Sequence, residues 1–203
     1  MKKIILTLFI VFGATVSSDA SCFADFLIPQ TQQYYNNANT HTQPSVGMLN
    51  GSESNHEWVD LGLSVKWATC NIGAEEPKLS GDYFSWTDSY DVARKEWGES
   101  WRMPTANEMR ELLNNCTWEW WGTSYMGYIK GTSKRNGNTI IIPACGCKYE
   151  RYSTEGFGQF GSYWTSSRSN SPDLAQTLYF SKNRTTLSND YFTTQRNIRA
   201  VCK

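Results

Sequence analysis

One strong helix signal stands among many short strand-like segments in this 203-residue chain. Thr105 can accept a hydrogen bond at the first helical turn, and Glu108, three residues later, completes a capping box. Apolar residues then recur at helical spacing from Met109 to Cys116, which turns one helix face and Cys116 toward a core. A single helix among short, loop-separated strands predicts the α+β class.

The strand-like segments are separated by turns and polar loops. They lie at residues 58–61, 65–68, 83–86, 117–121, 125–130, 139–143, 162–166, 177–182 and 197–202. Asn136–Gly137 is typical of a hairpin turn. Alternation turns Leu178 and Phe180 to one face of their strand, and we expect both of them, with Ile198, in the core.

Residues 1–24 have the three parts of a secretory signal peptide. Lys2 and Lys3 precede the apolar run Ile4–Val16, and small residues follow that run. A membrane-spanning helix needs about 20 apolar residues, so this run is too short. No later segment reaches that length, and we therefore expect an exported chain without a transmembrane span.

The point of cleavage has three alternatives. Cleavage after Ala20 or after Ala24 fits the small-residue rule, and Cys22 offers a lipid anchor. The lipid anchor is the weaker option, because Asp19 stands where a lipid-attachment motif prefers Leu. We expect the protein to be extracellular or on the outer cell surface, with the periplasm as the alternative, and so in an oxidising compartment.

The mature chain divides by composition into a stalk and a domain. Residues 25–56 are rich in Gln, Asn, Thr, Ser and Gly, which predicts a polar flexible stalk. Residues 57–203 contain most of the aromatic residues and the strand-like segments, and they form the predicted domain. The 19 basic and 19 acidic side chains balance, which argues against nucleic acid as a partner.

Several motifs of the domain resemble a known family. They are EWVDLGLSVKWATCNIGA at 57–74, GDYFSW at 81–86, WRMPT at 101–105, GSYWTSS at 161–167 and NIRAV at 197–201. Together they resemble the Fibrobacter succinogenes major paralogous domain, a family abundant in exported proteins of Bacteroides and its relatives. The resemblance covers residues 57–203 and implies a C-type-lectin-like fold with small sheets, a flanking helix and a long irregular stretch before the last strand.

The resemblance also implies a binding surface. The family's relatives include the variable proteins of diversity-generating retroelements, which bind diverse targets through their last strands and loops. A similar display here would use Arg168, Asn170, Asp173, Gln176, Tyr179, Asn183, Arg184, Asn189 and Tyr191. Such residues give contact area and adaptable hydrogen bonds, so we expect a protein or glycan ligand at the cell surface. A structural subunit of a bacterial surface appendage is the alternative.

Enzymatic chemistry has weaker support. Formylglycine-generating enzymes share the implied fold and work through a cysteine pair. The spacing in Cys145–Gly146–Cys147 does not match the spacing of that pair. His41 and His56 both lie in the predicted stalk, which leaves a hydrolase without its general base and leaves a zinc site at Cys145 and Cys147 short of its four ligands. The calcium-binding triplets of sugar-binding lectins are missing. We expect no catalytic residue, metal or cofactor, and keep the formylglycine-generating type as a second alternative.

The mature chain keeps five cysteines, which an oxidising compartment favours as disulfides. Cys70 and Cys116 occupy positions that occur together in relatives, so the resemblance implies a bond between them. That bond would stabilise the fold by about 4 kcal/mol in the chain-entropy picture. Cys202 would then pair with Cys145 or Cys147, which leaves one thiol for a partner or for burial.

Eight of the nine tryptophans fall into two groups. Those inside the family motifs are expected to be structural: Trp58, Trp67, Trp86, Trp101 and Trp164. In the segment 117–121, alternation places Trp118 and Trp120 on one face and Trp121 on the other, so all three cannot be buried alike. An indole left exposed there would suit stacking against a sugar.

Overall fold

A computed structural model describes residues 50–123, 125–150 and 153–203, without the side chain of Glu150. The predicted signal peptide, the Cys22 lipid anchor and the stalk up to residue 49 lie outside the described residues. Neither helix within the described ranges has the length and apolar character that crossing a membrane requires.

Twelve strands and two helices form in the described ranges. The strands are β1 (Asn50–Glu53), β2 (His56–Val59), β3 (Lys66–Ala68), β4 (Cys116–Thr123), β5 (Met126–Ser133), β6 (Thr139–Pro143), β7 (Cys147–Glu150), β8 (Ser153–Glu155), β9 (Phe160–Arg168), β10 (Leu174–Ser181), β11 (Arg184–Tyr191) and β12 (Val201–Cys202). The helices are α1 (Val92–Trp97) and α2 (Ala106–Asn115).

The strands pair antiparallel in four small sheets, with orders β1-β2-β3-β12, β4-β5-β6, β9-β10-β11 and β7-β8. The hairpin predicted at Asn136–Gly137 joins β5 to β6, where Gly137 adopts a φ of 79° that suits glycine. Small antiparallel sheets with two helices confirm the α+β class.

Helix α2 begins as the sequence predicts. The Thr105 hydroxyl accepts a hydrogen bond from the Glu108 backbone N–H at 3.2 Å, and the Glu108 carboxylate accepts one from the Thr105 N–H at 2.8 Å. The capping box is therefore confirmed. Met109 and Leu112 are buried on the inner face, and Cys116 is buried where the helix passes into β4.

Two hydrophobic clusters fill the interior. The first joins α2 to the inner faces of β4–β6 and β9–β10, and it includes the fully buried Leu178 and Phe180. The second joins α1 to β9 and the last segment of the chain, and it includes the fully buried Ile198. The three predicted core residues are thus confirmed. Of the motif tryptophans, four are buried and Trp58 is half-buried.

The structure adds elements that the sequence did not predict. Residues 50–53 were assigned to the stalk, yet they form β1 on the edge of the first sheet, so the folded region starts before residue 57. Helix α1 follows Asp91, whose carboxylate accepts hydrogen bonds from the Arg94 and Met103 backbone N–H groups. Of the predicted strand 197–202, only Val201–Cys202 is a strand.

Candidate recognition surface

Six of the nine predicted display residues meet at one end of the β9–β10–β11 sheet. Strand pairing brings them together there, because Leu174 pairs with Tyr191, Gln176 with Asn189 and Ala175 with Arg168. We call this the loop-end surface, formed by Arg168, Asn170, Asp173, Gln176, Asn189 and Tyr191. All of these except the half-buried Gln176 are exposed, and Tyr191 keeps 64% of its surface accessible.

The other three predicted residues lie elsewhere. Asn183 and Arg184 stand at the turn between β10 and β11, at the opposite end of the sheet. Seven residue steps at about 3.3 Å each separate the two ends by about 23 Å. Tyr179 lies between them, half-buried, with its ring stacked on Phe160 at a centroid distance of 5.4 Å. The nine residues therefore do not form a single site.

The loop-end surface rests on an aromatic base that the sequence did not predict. The rings of Trp86 and Phe192 stack with centroids 4.5 Å apart, and the Trp86 indole N–H donates to the Thr165 carbonyl at 2.8 Å. The Arg168 guanidinium lies 5.2 Å from the Phe192 ring centroid and 5.8 Å from that of Trp86. Its Nη2 is 3.4 Å from Asp88. Arg168 is thus held against two rings while more than half of its side chain stays exposed.

Tyr191 is positioned by a chain of polar contacts from the interior. The buried Arg196 guanidinium forms an ion pair with Asp190 and donates to the Ser162 hydroxyl. Asp190 Oδ1 in turn accepts from the Tyr191 backbone N–H at 2.8 Å and from the Thr194 hydroxyl at 3.1 Å. Because Arg196 is only 3% exposed, a rigid group sets the backbone beneath the exposed tyrosine.

The loop between β9 and β10 is closed by its own hydrogen bonds. The Ser169 N–H donates to the Leu174 carbonyl at 2.9 Å, and the Phe192 N–H donates to the Asp173 carbonyl at 2.9 Å. Asp173 adopts a φ of 62°, in the left-handed region that Asp and Asn tolerate better than most residues. The Gln176 amide donates to the Arg168 carbonyl at 3.1 Å, so its side chain belongs to the loop's support.

Helix α2 anchors the same end of β9. The Ser166 N–H donates to the Pro104 carbonyl at 2.8 Å, and the Ser167 hydroxyl accepts from the Ala106 N–H at 3.0 Å. Both contacts lie within two residues of Arg168. The residues on either side of the α2 N-cap therefore also fix the strand that presents Arg168.

The five cysteines of the described residues are free thiols in the structure, which does not contain the expected Cys70–Cys116 bond. Cys116 packs in the first hydrophobic cluster and Cys202 in the second, so each sulfur has its own apolar surroundings. Cys145 Sγ lies 3.5 Å from the Tyr163 hydroxyl, and burial raises the pKa of Cys145 to about 11. Burial also raises the pKa of Cys147. Protonated, buried thiols are poor nucleophiles.

His56 is part of the fold rather than of a stalk. It lies in β2, and its ring stacks on Trp97 with centroids 3.9 Å apart and meets the edge of Trp101. Burial lowers the pKa of His56, which favours the neutral ring. The sequence prediction of its place was wrong, because the β1–β2 hairpin extends the domain toward the N-terminus. The ring serves as a packing group between β2 and the end of α1.

A fully buried Arg199 ties the last segment of the chain to β3. Its Nε donates to the Asn71 side-chain oxygen at 2.9 Å, and its Nη1 donates to the Ala68 carbonyl at 3.1 Å. Burial lowers the pKa of Arg199.

Among the described residues, no three His, Cys, Asp or Glu side chains converge as a metal site requires.

Comparison of the chain with protein-family models, with curated proteins and with solved structures found no match in any of the three. The function is therefore inferred from the sequence motifs and from the geometry of the loop-end surface.

Proposed function

We propose that this chain is an exported, surface-associated binding module of the C-type-lectin-like fold, and that its loop-end surface recognises a protein without calcium. One observation carries the proposal. Arg168 lies over the Trp86–Phe192 stack, and the exposed Tyr191 stands at the same end of the sheet, directly before Phe192, on a base fixed from the interior. Arg, Tyr and Trp are the residues that contribute most often and most strongly to protein interfaces.

The places of the family motifs support the fold in this proposal. The motif at 101–105 ends on the N-cap of α2, the motif at 161–167 lies within β9, and the motif at 197–201 leads into β12. Trp101 and Trp164 in these motifs are fully buried. Because these motif residues fill the core, the resemblance lies in the segments that build the framework and not in the exposed loops.

The chemistry of the loop-end surface favours a protein ligand. Its exposed groups are a cation, amides, a carboxylate and a phenol, spread over two strand ends and a loop. Such a mixture suits an interface with one or two aromatic or Arg anchors and a polar rim. Because strand pairing and buried contacts already fix the anchors, binding loses less conformational entropy than it would with mobile loops.

The test is a screen of the secreted chain against arrayed extracellular proteins and glycans, followed by affinity measurement on each ligand found. We expect the double change Arg168→Ala and Tyr191→Ala to lower the affinity for a protein ligand at least about 30-fold, since anchors of this kind contribute about 1 to 2 kcal/mol each. Arg168→Lys should also weaken binding, because Lys keeps the charge but not the planar stacking.

A matched control replaces an arginine and a tyrosine at another place on the protein surface. The double change Arg110→Ala and Tyr125→Ala removes an exposed arginine and an exposed tyrosine outside the loop-end surface. It should leave the affinity within about twofold. A confirmed ligand whose affinity survives loss of Arg168 and Tyr191 would show that the surface is wrongly placed.

A further inference from the structure

A groove of about 180 Å³ opens between the β4–β5 sheet and the turn that joins β10 to β11. Trp118, Trp120 and Ile129 line it on the sheet side, and Lys182, Asn183 and Arg184 line it on the turn side. Drug-sized ligands occupy roughly 300 Å³ or more, so this groove suits one ring rather than an extended ligand. It lies at the end of the sheet opposite the loop-end surface.

The two indoles in the groove are held flat against the sheet. Trp118 lies over Gly131 and Trp120 over Gly127, so closely that a Cβ at either glycine would overlap the ring. The Trp118 indole N–H donates to the Leu113 carbonyl at 3.2 Å, and Trp120 meets the edge of Phe180 at a centroid distance of 6.5 Å. Both rings are half-buried and fixed before any ligand binds.

The rim of the groove carries positive charge. Lys182 and Arg184 are exposed, and neither forms an ion pair with any of the described residues. Glu119 also lines the groove, but its carboxylate accepts from the Trp121 indole N–H at 3.1 Å, toward the other face of β4. The amide of Asn183 adds donors and an acceptor. The groove thus combines flat aromatic surface with two cations.

We propose that this groove binds an acidic sugar residue, such as a uronic acid at the end of a glycan. A pyranose ring has an apolar face of C–H groups, which packs on a flat indole, and a rim of hydroxyls, which needs hydrogen-bonding partners. Trp120 offers the flat indole surface, and Asn183 offers hydrogen-bonding partners for the hydroxyls. The sugar carboxylate meets Lys182 or Arg184, where its charge is matched. The site is separate from the loop-end surface and from the protein ligand proposed for it.

The test titrates the secreted chain with galacturonate and with galactose, which differ at C6 by a carboxylate in place of a hydroxymethyl group. Tryptophan fluorescence and ligand-observed NMR follow the binding. We expect galacturonate to bind in the millimolar range and at least about fivefold more tightly than galactose at low salt. Raising the salt to about 0.5 M should remove that preference, because exposed charges are screened.

Two pairs of variants locate the site. Trp120→Ala should weaken galacturonate binding at least about tenfold, whereas Tyr125→Ala, which removes an exposed aromatic ring outside the groove lining, should leave it unchanged. Trp120→Phe keeps a ring over Gly127 and should retain most of the binding, which separates lost stacking from lost folding. The double change of Lys182 and Arg184 to Ala should lower galacturonate binding to the level of galactose.

Three outcomes would overturn the inference. They are the absence of saturable galacturonate binding by the unchanged protein, equal effects of Trp120→Ala and Tyr125→Ala in folded variants, and equal affinities for galacturonate and galactose at low salt. None of them bears on the protein ligand, because the two sites share no residue.

Discussion

Replacing Glu108 by Gln should destabilise the protein through the ion pair that this capping-box carboxylate forms with Arg102. The Glu108 carboxylate accepts the Thr105 N–H of the capping box, and it also accepts two N–H groups of Arg102 at 2.8 and 2.5 Å. The Glu108 and Arg102 side chains are only 15% and 29% exposed. A glutamine keeps the length of the side chain, but it loses the charge and turns an amide toward the guanidinium donors.

The size of the effect follows from these contacts. Hydrogen bonds to charged groups contribute about 1.5 to 3 kcal/mol when buried, and partial exposure reduces that figure. The glutamine oxygen can still accept the Thr105 N–H, as in capping boxes that contain Gln, so the loss falls on the two bonds from Arg102. We therefore expect Glu108→Gln to lower the free energy of unfolding by about 2.5 kcal/mol. For a chain of this size, that corresponds to a fall in Tm of about 7 °C.

The same carboxylate predicts a pH dependence. Burial alone would raise the pKa of Glu108, but the hydrogen bonds from Arg102 and Thr105 outweigh it, so the pKa lies below its ordinary value of 4.5. A carboxyl whose folded pKa is lowered stabilises the fold fully above its unfolded pKa and loses that effect as the pH falls through the folded value. The difference in the free energy of unfolding between the unchanged protein and Glu108→Gln should be largest at pH 7 and shrink below about pH 4.5.

Urea unfolding followed by fluorescence at pH 7 and at lower pH measures both effects. Glu96→Gln, at an exposed position on α1, is the matched control and should change the free energy of unfolding by less than about 0.5 kcal/mol. A double-mutant cycle with Arg102→Met should give a coupling of about 1 to 3 kcal/mol. A Glu108→Gln protein as stable as the control, or a gap that is the same at pH 3.5 and pH 7, would refute the reasoning.

Three further predictions concern the framework. Arg196→Met should destabilise the fold by about 3 kcal/mol, measured by urea unfolding, because it leaves Asp190 partly buried without its partner. Gly146→Ala should lower Tm by several degrees in a thermal scan, since residue 146 has a φ of 65° and a Cβ there would overlap the Glu155 carbonyl. Alkylation at pH 8 followed by mass spectrometry should label the half-buried Cys70 before Cys145, whose pKa burial raises to about 11. A Cys70 that is labelled only after reduction would instead indicate a disulfide.

The elements that could be predicted from the sequence are those whose signals are local. Helix α2 carries its cap and its apolar face within a dozen residues, and the β5–β6 hairpin carries its Asn136–Gly137 turn. Helix α1 was missed because it has only six residues and depends on Asp91, which also binds the distant Met103 N–H. Strand β11 was missed because six of its eight residues are polar and Leu187 is its only aliphatic residue, so its pairing with β10 carries most of the definition.

The candidate site shows the same limit. The sequence identified exposed residues along the C-terminal third, but strand pairing decides which of them share an end of the sheet. Arg168 and Tyr191 lie at the same end because both of their strands pair with β10, whereas Asn183 and Arg184 lie at the far turn. The aromatic base joins Phe192 to a tryptophan more than a hundred residues earlier in the chain. No local pattern carries such a contact.

The backbone of Asp173 limits how the loop-end surface can change during evolution. A φ of 62° costs most residues about 1 to 2 kcal/mol, and Gly, Asn and Asp are the residues that bear it best. Asn170 is exposed, and no hydrogen bond of its side chain to another described residue is seen, so almost any residue fits there. The same loop thus contains one position open to many side chains and one confined to three. A set of variants with new ligand preferences would be expected to differ at residue 170 while keeping residue 173 within that small group.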